Sequence, residues 1–166
     1  MQAGEHAGLI PCGLGARNTL RLESAMSLYD HEISDKINVF EANLGRFAKL
    51  EKGDFIGRDA LQKVKDGGGP ARILVGLEMV ERGIGRDGYP VLSADGKRIG
   101  EITSGSPGPF VKKNIALAYV PLALSAVGTE VAVEIRNQPV KAVVVPTPFY
   151  KRPKKAAAQQ TSVAAS

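Results

Sequence analysis

From Pro70 onward, apolar and polar side chains alternate with period two, which restricts this half of the chain to extended strands with one face in a core. The runs are RILVGLEMVE, KRIGEITSG, NIALAYV, TEVAVEIR and QPVKAVVV, rich in the β-branched residues that suit a pleated, half-buried surface. Asp87-Gly88 and Asp95-Gly96 are turn dipeptides, the second flanked by strand-like runs. Short, evenly spaced runs joined by tight turns indicate an antiparallel barrel or sandwich.

The half before Pro70 follows a different pattern. Met1 to roughly Leu9 predicts the last turns of a helix that ends before Pro11. GARNTLRLESAM, from Gly15 to about Met26, predicts a second helix with Arg17 and Arg21 on one face. In NVFEANLGRFAKL, Asn38 to Leu50, apolar positions fit both helix and strand spacing and Gly45 interrupts them, so its type stays open. Gly57 to about Asp66 predicts a short helix whose Asp59, Lys63 and Lys65 complement its dipole. Gly67, Gly68, Gly69 and Pro70 stop that helix and form the best linker in the chain. KRPKKAAAQQTSVAAS has almost no large apolar side chain after Tyr150, so residues 151–166 are expected to be a disordered tail.

Several function classes are disfavoured by composition. The net charge of +5 owes much to Lys151, Arg152, Lys154 and Lys155; of the 22 basic residues, the remaining 18 face 17 acidic ones. A body so close to neutrality has no electrostatic footprint for a phosphate backbone, and no nucleic-acid partner is expected. No apolar run approaches the roughly 20 residues of a membrane-spanning helix, and with no basic-then-apolar leader the expected location is cytoplasmic, away from membrane. One cysteine and two histidines give no zinc pattern, so no metal site is expected.

The candidate catalytic motifs are weak. GLGARN has Asn18 where a dinucleotide loop has its third glycine, and no clear strand precedes it. The serine in SGSPG is flanked wrongly for a nucleophile elbow. Cys12, beside Pro11, fits a small buried hydrophobe better than a nucleophile. Arg17 and Arg21 are more informative, because like charges four residues apart on a helix repel unless something anionic answers them. An internal carboxylate (Glu23, Asp30 or Glu32) and an anionic ligand are both open readings.

Four stretches, in order, carry a family resemblance: GLGARNTLRLESAMSLYDHEI, FEANLGRFAKLEKGDFIGRDAL, GEITSGSPGPFVKKNIALAYV and VVVPTPFYKRP. Together they span most of residues 8–153, and the chain resembles the C-terminal portion of the glycine cleavage T-protein, or aminomethyltransferase, family. Two departures are Asp30, where the family often has glycine, and Asn18, where aspartate is frequent. The fold expected is α+β: residues 1–69 as a partial, helical and mixed piece of the folate-binding domain, then an antiparallel β-barrel over 70–150.

The resemblance implies transfer of a one-carbon unit from the aminomethyl-lipoyl arm of H-protein to tetrahydrofolate, with release of ammonia. Lipoylated H-protein and tetrahydrofolate are the partners it implies. Arg17, the arginine of the GAR segment, is the residue expected to line the folate cavity; Tyr150 is a second match, with barrel closure as its structural alternative. The family's catalytic aspartate and pterin-gripping glutamate precede the GAR segment by a long stretch, so no catalytic residue is assigned here and the chain by itself is expected to be inactive. Competing readings are the folate domain of a dimethylglycine or sarcosine dehydrogenase, which the VPTPFYKRP ending disfavours, and a non-catalytic interaction module with an exposed apolar patch.

Overall fold

The computed structural model describes residues 2–152, and in it the alternating half closes into a six-stranded antiparallel barrel. Strands β1 (Arg72–Met79), β2 (Pro90–Leu92), β3 (Arg98–Gly108), β4 (Lys113–Pro121), β5 (Glu130–Ile135) and β6 (Gln138–Val145) run in the order β1-β4-β3-β2-β5-β6, and β6 pairs back onto β1. The choice between barrel and sandwich is therefore settled by closure, which leaves no sheet edge unpaired. The five predicted runs became β1, β3, β4, β5 and β6. The strand that was not predicted, β2, is 3 residues long, too short for alternation to register, and Asp95-Gly96 turns it into β3.

Alternation explains the core. Val75 and Leu77 of β1, Ala116 and Ala118 of β4 and Val133 of β5 point inward, and the alanines keep the centre narrow enough for Leu77 and Ile102 to fill it. Strand β4 is buried on both faces. Its opposite set, Ile115, Leu117 and Tyr119, packs with Leu74 of β1 and with Leu22 of the helix α2 (Leu14–Glu23). This second cluster holds the helical half against the outside of the barrel.

That half contains α1 (Gln2–Glu5), α2 and α3 (Arg58–Asp66), with two short 3-10 turns at Gly45–Phe47 and Leu50–Lys52. The first predicted helix is shorter than expected, and the undecided segment from Asn38 to Leu50 is turns. Its hydrogen bonding is partly local, the Asn38 side chain accepting from the Phe40 and Glu41 amides, and partly to β1, where Arg72 donates to the Glu41 carboxylate at 2.9 Å and the Leu74 amide to the Glu41 carbonyl at 2.8 Å.

Helix α2 stops at Glu23, three residues short of the predicted end, through a Schellman arrangement. The Met26 amide bonds the Arg21 carbonyl and the Ala25 amide bonds the Leu22 carbonyl, with Ala25 left-handed at φ 51. Alanine gives no warning of such a stop. At the end of α3 the same pair of bonds runs from Gly69 to Val64 and from Gly68 to Lys65, with Gly68 at φ 93, so the glycines announced it. The tail expectation for 153–166 lies outside the described residues.

Gly105 on β3 is an obligatory glycine, since a Cβ there would lie 1.7 Å from the Gly85 carbonyl oxygen of the loop crossing beside it. Gly105→Ala is expected to lower the unfolding free energy by about 3 kcal/mol. Gly15→Ala, in open space on α2, is expected to raise it by up to about 1 kcal/mol; urea midpoints measure both.

Candidate functional site

The site is organised by how α2 meets β3 and β4. Strand β3 has a register shift between Ile102 and Ser104 opposite β4. In a regular strand Thr103 and Ser104 would face opposite sides; the extra residue re-aims them so that both reach the helix side. There the Thr103 hydroxyl donates to Glu32 Oε1 at 2.8 Å, and the Ser104 hydroxyl oxygen accepts from Arg21 at 2.6 Å. Arg21 also donates to Glu32 Oε2 at 2.7 Å and, through Nε, to the Asn18 side chain at 2.9 Å. Glu32 is wholly buried and Arg21 nearly so.

Glu32 reaches this position because the loop from Leu28 to Ile33 folds back on itself, with the Asp30 amide bonded to the Ile33 carbonyl and the Glu32 amide to the Leu28 carbonyl. Asp30, where the resemblance expects glycine, adopts φ 69, a left-handed conformation that aspartate tolerates better than most residues. Tyr119 of β4 donates its hydroxyl proton to the Glu32 carbonyl at 2.7 Å. Burial pushes that hydroxyl up to about 12, with Arg72 opposing and Glu41 and Glu32 adding to the rise.

A second buried carboxylate closes the other side. Glu23 Oε1 accepts from the Phe110 and Val111 amides at 2.7 and 2.9 Å in the β3–β4 turn, and the Glu23 carbonyl accepts from the Tyr150 amide at 2.8 Å. Tyr150 is half-buried, its ring centroid 4.8 Å from that of Phe110.

The two arginines of α2 therefore separate. Arg21 is answered internally by Glu32, one of the carboxylates considered for that role, whereas Arg17 is exposed and joins none of the ion pairs found among the described residues. Arg17 lines a surface depression of about 680 Å³ with Cys12, Leu20, Met26 and Leu28. An adjoining cleft of about 490 Å³ shares Ser24 and Ser27 with it and carries Arg46 and Asn43. Tyr150 lines neither: it is fixed at the C-terminal end of α2, while Arg17 is in its first turn. Cys12 corrects the expectation of a buried hydrophobe, because it is exposed on the segment leading into α2. Pro11 and Gly13 keep its neighbours out of regular structure and off the barrel. Nothing in TSG itself marks Thr103 and Ser104 as partners of α2, since the irregularity that turns them toward the helix has no signature in alternation.

This is a small closed antiparallel barrel sealed to an arginine-bearing helix through a buried ion pair. Comparison with known proteins supplies the family. Residues 72–151 match the glycine cleavage T-protein C-terminal barrel domain, and residues 1–52 match the GCVT N-terminal domain. An aminomethyltransferase of Acidobacterium capsulatum is 64% identical over 95% of this chain and 42% of its own length; that of Koribacter versatilis is 65% identical over 93% and 40%. The crystal structure of glycine cleavage system aminomethyltransferase T from Bartonella henselae superposes with a TM-score of 0.79 at 35% identity, over 83% of this chain and 39% of that one. The chain belongs to the glycine cleavage T-protein family. It spans less than half the length of these curated relatives.

Arg21→Met strands Glu32 without its cation and is expected to cost about 3–5 kcal/mol, whereas Arg21→Met combined with Glu32→Leu recovers much of the loss; denaturant unfolding of the single and double variants tests the pair. Because the folded chain holds the Tyr119 proton more tightly than the unfolded chain, stability from this group is intact below about pH 10 and lost as pH rises toward about 12. The decline is expected at up to about 1.4 kcal/mol per pH unit, and Tyr119→Phe should flatten it in denaturant midpoints taken from pH 9 to 12.

Proposed function

We propose that this chain forms the folate-facing C-terminal part of an aminomethyltransferase, cytoplasmic, that takes the aminomethyl group from the lipoyl arm of H-protein and passes its one-carbon unit to tetrahydrofolate, releasing ammonia. The observation that carries this reading is the division of labour on α2, in a chain 64% identical to an aminomethyltransferase. Arg21 is consumed by Glu32 and Ser104, whereas Arg17, one turn earlier, is exposed over a depression large enough to admit part of a small molecule.

In this reading Arg17 binds and orients. A guanidinium offers a planar fork of donors, suited to a carboxylate or to the polar edge of a pterin, and stays charged at any working pH. Tyr150 lines neither depression and stands at the far end of the same helix, so its part in binding rests on the family resemblance. Glu23 and Glu32 are not candidates for proton transfer, because backbone amides occupy the first and Arg21, Thr103 and the Leu28 amide the second. The acid–base step on the folate nitrogen falls, by resemblance, to an aspartate that precedes the GAR segment.

Titration calorimetry with tetrahydrofolate under reducing conditions tests the reading. Arg17→Ala is expected to weaken binding by at least about tenfold, the scale of a lost charge-assisted hydrogen bond, with Arg17→Lys between the two. Unchanged affinity in Arg17→Ala would remove Arg17 from the site.

A further inference from the structure

The β3–β4 turn is built more firmly than a connection between two strands requires. Gly108 pairs with Lys113, and the Lys112 amide closes onto the Gly108 carbonyl at 2.8 Å. A carboxylate only 2% exposed, Glu23, then holds the Phe110 and Val111 amides. Gly108 has no room for a side chain, since a Cβ would lie 2.5 Å from Val111 and 3.0 Å from the Glu23 carboxylate. All of this places at the tip a phenylalanine that is 68% exposed.

Stability does not explain that outcome. Turn tips favour glycine, proline and small polar residues, and a buried carboxylate is costly unless hydrogen bonds answer it, as the Phe110 and Val111 amides do for Glu23. Those bonds fix Phe110 beside Tyr150, with ring centroids 4.8 Å apart and planes at 57°. Tyr150 is held by the same residue, through the Glu23 carbonyl. Two aromatic rings from distant parts of the chain thus hang from the last residue of the helix whose first turn carries Arg17.

We propose that Phe110 is a ligand-contact residue, its ring forming with Tyr150 a pre-positioned aromatic wall against which a ring of the folate held by Arg17 stacks. The inference rests on the folate reading given above. Glu23 lies about 9 Å along α2 from Arg17 and about 120° around it, so a ligand joining a pterin, an aryl ring and a carboxylate-bearing tail reaches both by following the helix surface between them. Rings fixed before binding spare the ligand the entropy of ordering them, and stacking tolerates either flat ring of such a molecule.

The test is titration of the full chain with 5-formyltetrahydrofolate, using Phe110→Ala, Phe110→Leu, Phe110→Tyr and Arg17→Ala. Phe110 is largely solvent-exposed, so its variants should melt with the parent. Phe110→Ala and Phe110→Leu are expected to bind about three- to tenfold more weakly, while Phe110→Tyr, which restores a ring, stays within about twofold. Wild-type affinity in Phe110→Ala, with binding weakened in Arg17→Ala, would overturn the aromatic wall and leave the folate reading standing. Full affinity in Phe110→Leu would equally overturn it, showing apolar cover rather than stacking. Weakening by Phe110→Ala with no effect of Arg17→Ala would overturn the proposal as stated, because the ligand on the aromatic wall would not be one that Arg17 holds. Absence of binding by the parent chain would overturn both.

Discussion

The buried pair of Arg21 and Glu32 is the contact on which the rest of the molecule is arranged. Removing a guanidinium and a carboxylate from water costs several kcal/mol, about as much as a small domain's whole margin can absorb, and only complete hydrogen bonding offsets it. Every other feature of the interface supplies that bonding. The bulge in β3 delivers Thr103 and Ser104, the reversal around Asp30 delivers the Leu28 amide, and Asn18 takes up Arg21 Nε. Among the described residues no buried side-chain nitrogen or oxygen is left without a partner. The apolar cluster of Leu22, Leu117 and Tyr119 supplies adhesion, and the ion pair supplies the angle and register at which it occurs.

That arrangement turns two chemically identical side chains into different things. Arg17 and Arg21 lie on one face of α2, but the helix descends toward the barrel, so the later arginine is enclosed and the earlier one meets solvent. An enclosed arginine is a structural element. An exposed arginine at the mouth of a depression is available to a ligand, and its position relative to Tyr150 is inherited from the pair that fixes the helix. Binding geometry at the surface thus depends on electrostatics in the interior.

How much of this was legible beforehand varied with the physical signal. Alternation revealed five of the strands because burial on one face writes itself into every second residue; β2 was too brief to leave a trace. The end of α3 was announced by Gly67 to Gly69, while the end of α2 was hidden behind an alanine in a conformation where glycine is usual. Asn38 to Leu50 could not be assigned because its order comes from contacts with β1 and not from periodicity. The spacing of the arginine pair calls for an anion, yet only three-dimensional placement shows that one of the two has its carboxylate within the chain. Phe110 carried no sequence signal, since a single aromatic near a turn is ordinary until its neighbours are known.

The bulge after Ile102 also bears on how the chain can change in length. Upstream and downstream of it, β3 is locked to β4 with a one-residue offset, and Thr103 and Ser104 reach their partners only at that offset. Deleting or inserting one residue at Thr103 or Ser104 would undo that offset and turn one of the two hydroxyls away from the ion pair. The turn from Pro109 to Lys112 lies beyond the register. The tip is pinned as well, by the Glu23 carboxylate on the Phe110 and Val111 amides and by the Lys112 amide on the Gly108 carbonyl, so the residue count is fixed along the whole hairpin.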